Sequence, residues 1–212
     1  MATWRTIAST EVDPDSPVTA TLMEALADNP IAITERATGA PKVKGSLVGY
    51  QVFTISDTYT PTTDVTMVEV IVTGGGGGSD GTVETAGGGG TSIIIIDLAA
   101  AGATEATITV GLGGTSSGTD GGPSTWNDNG TTPTITSTGG EGTSGETNSS
   151  VSGGAGSASA DIAIDGSSGG TEGTGGSYWG GSSGNAVTPY GGGAHRSSRA
   201  GGDGIVVVKE FY

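Results

Sequence analysis

Residues 59–78 read Tyr-Thr-Pro-Thr-Thr-Asp-Val-Thr-Met-Val-Glu-Val-Ile-Val-Thr-Gly-Gly-Gly-Gly-Gly. The stretch alternates as a strand does, with Val68, Val70 and Val72 on one face and Met67, Glu69 and Ile71 on the other. It then becomes pure backbone, because glycine has no side chain to bury and loses the most freedom on ordering. The same device recurs where the glycines at 87–90 precede an aliphatic run. Aliphatic strands are therefore expected to form the core, with glycine tracts projecting from it as packed main chain.

Working outward, residues 48–55 alternate and predict a first strand, and Thr60-Pro61-Thr62-Thr63-Asp64 predicts a turn before a second strand at 65–72. Residues 92–98 hold four consecutive isoleucines, which predicts a strand buried on both faces. Further strands are expected at 104–110, 124–126, 134–136 and, weakly, 161–164, with a strong last one at 204–211. Asn127-Asp128-Asn129-Gly130 reads as a turn.

The glycine tracts admit two readings. They could be flexible linkers. Alternatively they could be extended helices with three residues per turn and no internal hydrogen bonds, bonded laterally to one another. Ordering costs about 1–2 kcal/mol per residue, so only many inter-segment bonds could hold such an array. The ordered reading is favoured, because the strand at 204–211 ties the long glycine segment at both ends. The fold expected is all-β: a β-sandwich-like domain at 42–212 with long polyglycine-II-like loops, preceded by an arm at 1–41 with one short helix.

In the arm, Asp15-Ser16-Pro17 predicts a helix start, and Val18, Leu22, Ala25 and Leu26 fall on one stripe. Asn29-Pro30 predicts its end, and Gly39-Ala40-Pro41 a linker. About three turns of helix are marginal alone in water. Trp4, Ile7, Val18, Leu22 and Leu26 are therefore the candidates for docking or oligomerisation.

Composition excludes several functions. Of 212 residues 43 are glycine and 33% apolar, but no Gly-X-Y period exists, so a collagen helix is excluded. The formal charge is −15, and residues 45–195 contain no lysine or arginine, so nucleic acid is not an expected partner. Residues 1–9 lack the apolar core of a signal peptide, and residues 93–96 are too short to span a bilayer. No membrane insertion is expected, and synthesis in the cytoplasm is.

With no cysteine and one histidine, thiolate chemistry and His/Cys metal sites are excluded. Residues 140–145 spell the dinucleotide pattern, but they neither follow a strong strand nor open a helix, so chance in a glycine-rich chain explains them. His195, in Ala194-His195-Arg196-Ser197-Ser198-Arg199, reads as a surface loop residue. A glycan hydrolase using Asp161 and Asp165 is the remaining enzymatic reading, without a recognisable catalytic setting. No catalytic residue, cofactor or metal ligand is assigned, and no enzyme is expected. The better leads are Trp126, Tyr178, Trp179 and Tyr190, rigid aromatics among glycines that suit stacking on a sugar ring or anchoring a protein receptor.

One order of elements is distinctive: Val-Thr-Met-Val-Glu-Val-Ile-Val, a glycine run, Thr-Ile-Thr-Val-Gly-Leu-Gly-Gly, Gly-Gly-Pro-Ser-Thr-Trp, and Gly-Gly-Asp-Gly-Ile-Val-Val-Val-Lys-Glu-Phe. It resembles the glycine-rich domain of bacteriophage tail-fibre and related virion adhesin proteins, over about residues 50–212. The arm, in Ser-Pro-Val-Thr-Ala-Thr-Leu-Met-Glu-Ala-Leu-Ala-Asp-Asn-Pro-Ile-Ala-Ile, resembles phage attachment segments. Thr60-Pro61-Thr62-Thr63-Asp64 departs from the family's Pro-Ala-Gly. The resemblance implies a structural fibre protein on the virion surface, often a homotrimer, docked to other virion proteins by its arm. It would adhere to a host-surface glycan or outer-membrane protein. The alternative it leaves is a capsid decoration or head-fibre protein.

Overall fold

The computed structural model describes residues 2–13, 15–35, 37–81, 85–102, 104–130, 132–143, 151–170, 175–180, 190–195 and 199–212. Glu84, the loop at 196–198 and the end of the 140–145 pattern lie outside these. The chain forms two compact units, Met1–Ser46 with Tyr212, and Leu47–Phe211.

In the first unit, helix α1 spans Ala20–Thr34. It starts later than Ser16-Pro17 predicts, because Ser16 Oγ donates to the Thr10 carbonyl (2.6 Å) and is committed to the preceding turn. Thr19 caps instead, its hydroxyl accepting the Leu22 N–H at 3.2 Å. The helix also runs through Pro30. Proline removes only the bond to the carbonyl four residues back, and tertiary contacts hold the next turn. Asn29 accepts from Arg5 N (2.9 Å) and donates to Arg5 O (2.8 Å), while Ala32 is fully buried. The buried stripe is therefore Leu22, Ala25, Asn29 and Ala32. Val18 and Leu26, expected on it, are exposed.

The second unit is all-β. Strands β1 (Leu47–Phe53), β3 (Met67–Thr73), β4 (Thr91–Asp97), β8 (Ile162–Ile164) and β9 (Ile205–Phe211) form one sheet in the order β1-β9-β3-β4-β8. Strands β2 (Asp57–Tyr59), β5 (Ala106–Thr109), β6 (Ser124–Asn127) and β7 (Ile135–Ser137) form the other, in that order, and every pairing is antiparallel. Between the sheets lies one core, in which Val68, Val70, Val72, Val206 and Val208 meet Tyr59, Ile108, Trp126 and Ile135.

The isoleucine run departs from its reading. Ile94 and Ile96 enter the core, whereas Ile95 is 57% exposed, so β4 alternates like its neighbours. A four-residue helix, α2 (Leu98–Ala101), follows because Asp97 accepts the N–H groups of Ala99 and Ala100.

Beyond the sandwich the described glycine tracts are ordered, and their hydrogen bonds have a period of three. Gly74 and Gly77 donate to the carbonyls of Gly90 and Gly87, Gly75 and Gly78 to Gly122 and Thr119, and Gly76 and Ser79 to Gly202 and Arg199. Each third residue thus addresses the same neighbour, which requires an extended helix of three residues per turn. The carbonyls of the same segment accept from Gly140 and Thr143, from Gly114 and from Ala194.

Residues 74–79 are therefore a column with six neighbours. These neighbours bond to one another around the ring: 85–90 to 138–143, then 119–122, 111–115, 199–204, 191–194 and back to 85–90. Residues 85–90 form a second such column. Thr85 and Gly88 donate to the Gly170 and Ser167 carbonyls, Ala86 and Gly89 to Ala194 and Gly191, and Gly87 and Gly90 to Glu141 and Thr138. Antiparallel strands β3 and β4 thus continue as two adjacent columns of a hexagonal, polyglycine-II-like lattice.

Glycine is obligatory there for a steric reason. A Cβ on Gly76 would lie 2.0 Å from the Gly192 oxygen, on Gly77 2.0 Å from the Glu141 oxygen, and on Gly89 2.1 Å from the Gly74 oxygen. Main chains packed this closely leave no room for a methyl group, and the bonds they gain are what offset the ordering entropy.

Candidate functional site

The four aromatics proposed from sequence separate into two groups. Trp126 is fully buried at 0% exposure, its ring centroid 5.2 Å from that of Tyr59. It cannot meet a receptor, because β6 alternates and places Ser124 and Trp126 on the inner face. Tyr178, Trp179 and Tyr190 are exposed, at 49%, 37% and 41%.

One turn brings Tyr178 and Trp179 together, and the main chain at Tyr190 is tied to it. Ser177 N donates to Gly180 O (2.8 Å) and Gly180 N to Ser177 O (3.2 Å), so Tyr178 and Trp179 are the two central residues of a hairpin-like turn. Their rings meet edge to face at 5.0 Å between centroids. The Ser177 hydroxyl donates to the Tyr190 carbonyl, which fixes the chain bearing the third aromatic.

Trp179 is then fastened to the scaffold. Its indole Nε1–H donates to Thr73 Oγ1 at 2.9 Å, and Thr73 Oγ1 also pairs with Thr91 Oγ1 at 2.9 Å. Thr73 is the last residue of β3 and Thr91 the first of β4, both buried. The aromatic turn therefore sits at the root of the lattice, where the strands become glycine columns. With its one donor used internally, Trp179 offers a partner only ring surface. The arrangement suits stacking rather than polar recognition.

Acid residues that a hydrolase would use are engaged in holding main chain. Asp161 accepts the Ile95 N–H at 2.7 Å, and Asp165 the Gly156 N–H at 3.2 Å. Among the described residues no group of three His, Cys, Asp or Glu side chains is placed to hold a metal ion. No helix of the described residues is long and apolar enough to cross a membrane.

In the first unit, Trp4 and Ile7 are half-buried and Leu22 buried. Val18 and Leu26 are exposed, and so are Met23, which lay off the stripe read from sequence, and Ile31, which lay beyond the helix end read at Asn29-Pro30.

Sequence reading also missed Glu210, a buried carboxylate on the core face of β9. It accepts from Tyr59 Oη (2.9 Å), Gln51 Nε2 (3.1 Å), Thr62 N (2.9 Å) and Thr62 Oγ1 (2.7 Å). Burial pushes its pKa up, but the bonds from Thr62, Tyr59 and Gln51 together outweigh this and hold it below the usual carboxylate value. Burial, and then the bond to Glu210, push the Tyr59 phenol well above its ordinary value. The signal was available: Val206, Val208 and Glu210 share one parity, which puts a carboxylate on an apolar face.

The fold defines a class: a two-sheet antiparallel sandwich whose strands run on into a lattice of bonded glycine helices. Residues 52–210 match the family described as a glycine-rich domain, and the chain belongs to that family. No curated protein matches the sequence.

Proposed function

We propose that the protein is a structural fibre component of a bacteriophage virion, displayed on the particle surface, that adheres to a glycan on the host cell. The observation that carries the reading is the Tyr178–Trp179 turn, two exposed rings held at right angles and fastened through Thr73 to the sandwich. A rigid aromatic surface loses little entropy on binding. Its faces match the apolar side of a pyranose ring, whereas an anionic polymer is repelled by a chain of charge −15. The first unit supplies the attachment to other virion proteins, through the exposed apolar side of α1 at Met23, Leu26 and Ile31.

The test is adsorption of particles carrying Tyr178→Ala and Trp179→Ala, with binding of the isolated protein to host-surface polysaccharide measured alongside. The expected result is reduced adsorption with an unchanged melting profile. Adsorption equal to that of the parent refutes the assignment.

A further inference from the structure

A sandwich has four edge strands, and three of these are blunted. Strands β2, β7 and β8 are three residues long. Where β8 ends, Asp161 takes over and accepts the Ile95 N–H of β4 at 2.7 Å. Past β5, beside the start of β2, the Ser56 hydroxyl accepts the Val110 N–H at 3.0 Å. Beyond β7, Thr138 N donates to the Ala155 carbonyl at 3.0 Å. Short edges and caps of this kind keep a second chain from adding a strand.

The fourth edge, β1, has no such protection. It is seven residues long, pairs with β9 alone, and lies in a stretch, residues 45–56, that carries no charge. The register tells which of its main-chain groups are open, because successive residues of an antiparallel ladder address opposite neighbours. Gly74 N bonds Gly90 O in continuation of the β3–β4 register, so even-numbered residues of β3 address β4 and odd-numbered ones address β9. Lys209 and Val207 therefore bond Glu69 and Ile71. The even-numbered residues of β9 are left for β1, where they meet Gly49, Gln51 and Phe53. The N–H and C=O groups of Tyr50 and Val52 thus point out of the sheet at its rim, and among the described residues none bonds them. Their side chains are 71% and 48% exposed.

We propose that β1 is an edge-to-edge interface between two copies of the chain, paired antiparallel about a two-fold axis that passes between their Gln51 residues. Self-complementarity selects a second copy as the occupant. The bulge between Leu47 and Gly49 ends the regular edge, so Tyr50 and Val52 supply its open groups. With Gln51 on the axis, each Tyr50 lies opposite the other copy's Val52. Both exchange their N–H and C=O groups, which makes four main-chain bonds and leaves none of these groups unpaired. The side chains that meet on the outer face are then an aromatic and a β-branched residue, a favourable cross-strand pair. Charge agrees, for on a chain of −15 this uncharged edge can meet its own image without repulsion at the contact. Such isologous pairing is what a two-fold interface requires. Because the copies join in the plane of the sheet, both of its faces stay as they are, including the end of β3 to which Trp179 is bonded.

Area sets the strength. At about 3.3 Å per residue the edge is about 23 Å long, and two sheets about 10 Å apart make it roughly 15 Å deep with side chains. The pair covers roughly 700 Å², the size of a weak, concentration-dependent contact.

The chain lacks cysteine, which makes the test direct. In the proposed register the two Gln51 residues form a non-hydrogen-bonded pair with Cα atoms about 4.5 Å apart, within reach of a disulfide. Full-length Gln51→Cys, oxidised and sized under denaturing conditions, should give a linked dimer in large excess over Leu112→Cys, an exposed lattice position that reports random collision. Light scattering of the parent, taken up to about 100 µM chain, should show a mass rising from 20.4 kDa toward twice that value. Val52→Pro removes an N–H that points away from β9, so no bond within the chain is lost. It should hold the mass at one chain with the melting profile kept. Val52→Lys, which places a charge on the edge and leaves the backbone as it is, should do the same and gives the reading if the proline variant fails to fold. A parent that stays at one chain throughout, or a Gln51→Cys that cross-links no better than Leu112→Cys, overturns the proposal and leaves the edge to a strand of a different protein. A dimer that survives Val52→Lys overturns it too, since another surface must then hold the copies together.

Discussion

The lattice predicts that one methyl group, placed at its centre, destabilises the domain as much as emptying part of a hydrophobic core. In Gly76→Ala the added Cβ starts 2.0 Å from the Gly192 oxygen. A carbon beside a carbonyl oxygen needs about 3.3 Å, so the segment at 191–194 must retreat by about 1.3 Å. That segment is held by Ala194 N to Gly77 O (2.9 Å), Gly202 N to Gly192 O (2.8 Å) and Ala86 N to Ala194 O (3.0 Å). Stretching bonds of this length by that much carries them past the range in which they count as bonds.

Water cannot replace them inside the lattice, so two or three lost bonds at about 1–3 kcal/mol each amount to roughly 3–6 kcal/mol. Alanine returns about 0.4–1 kcal/mol by restricting the unfolded chain. The net loss of about 3–5 kcal/mol corresponds to a fall in Tm of roughly 10 °C for a domain of this size. The control is Gly170→Ala, where a Cβ meets nothing within 4 Å. It keeps the entropic gain alone and should be neutral or slightly stabilising. Thermal unfolding followed by far-UV circular dichroism reads both. Equal shifts in the two variants would refute the reasoning, for the glycines would then be spacers whose order owes nothing to close approach.

The remaining predictions concern the sandwich. Glu210→Ala leaves the Tyr59 hydroxyl and the Thr62 N–H without their acceptor, and at about 1–3 kcal/mol for each buried donor denaturant titration should show a loss of roughly 2–5 kcal/mol. Because the Glu210 pKa is lower in the folded than in the unfolded chain, its contribution is complete above about pH 4.3. It is lost as the pH falls through the folded value; the acid limb of a stability profile should therefore flatten in Glu210→Gln. Tyr59 has the opposite consequence: above about pH 10 the phenol ionises in the unfolded chain but not in the folded one. Stability should accordingly fall with rising pH in the parent and less so in Tyr59→Phe. Trp126 Nε1 is buried with no hydrogen-bond partner among the described residues, so Trp126→Phe forfeits no hydrogen bond seen there and should cost less than the roughly 3–5 kcal/mol of Trp126→Ala. Chemical denaturation of the two variants side by side checks the difference.

What could be read from the sequence was whatever side chains encode. The alternation at Val68, Val70 and Val72 gives both the strand and its inner face, and the same logic gives the last strand; Trp126, read among glycines as a receptor contact, lies instead on the inner face of a strand too short for its alternation to register. It failed where a tertiary contact overrode a local rule. Pro30 should stop a helix, but Asn29 clamped to the Arg5 main chain and Ala32 at full burial carry it onward. The isoleucines at 93–96 look doubly buried because apolar letters do not say whether a sheet face is covered within one chain. Three-residue β2 has no periodicity long enough to register, although its Tyr59 is among the largest fully buried side chains. The partners of each glycine segment were illegible for a plainer reason. Backbone groups are the same at every residue, so nothing in a run of glycines names the segment it bonds.

Yet the glycine text carries one piece of structural information, and it lies in the interruptions. A central column has neighbours on all sides, so except at its outer end, where Ser79, Thr85 and Ala86 stand, it is written as an unbroken run of glycine. Residues 74–78 and 87–90 are such runs, and both are wholly buried. A rim segment has one open side, and with three residues per turn that side recurs at every third position. The structure follows this rule. Leu112 and Thr115 are exposed while Gly111 and Gly114 are buried, Ser152 and Ala155 are exposed while Val151 and Gly154 are buried, and Thr138 and Glu141 flank a buried Gly140. Exposed side chains thus recur at one residue in three around the rim, with Val151 and Ala194 as buried exceptions, and this is where the lattice can change its surface chemistry without changing its packing. The acids at Glu141 and Asp203 show the same economy: they stand at open positions and turn back to accept the N–H groups of Ser152 and Gly113, closing main-chain donors at the rim. A glycine-rich chain of this family is therefore not low in information, but writes its fold in a period that neither helix nor strand templates test.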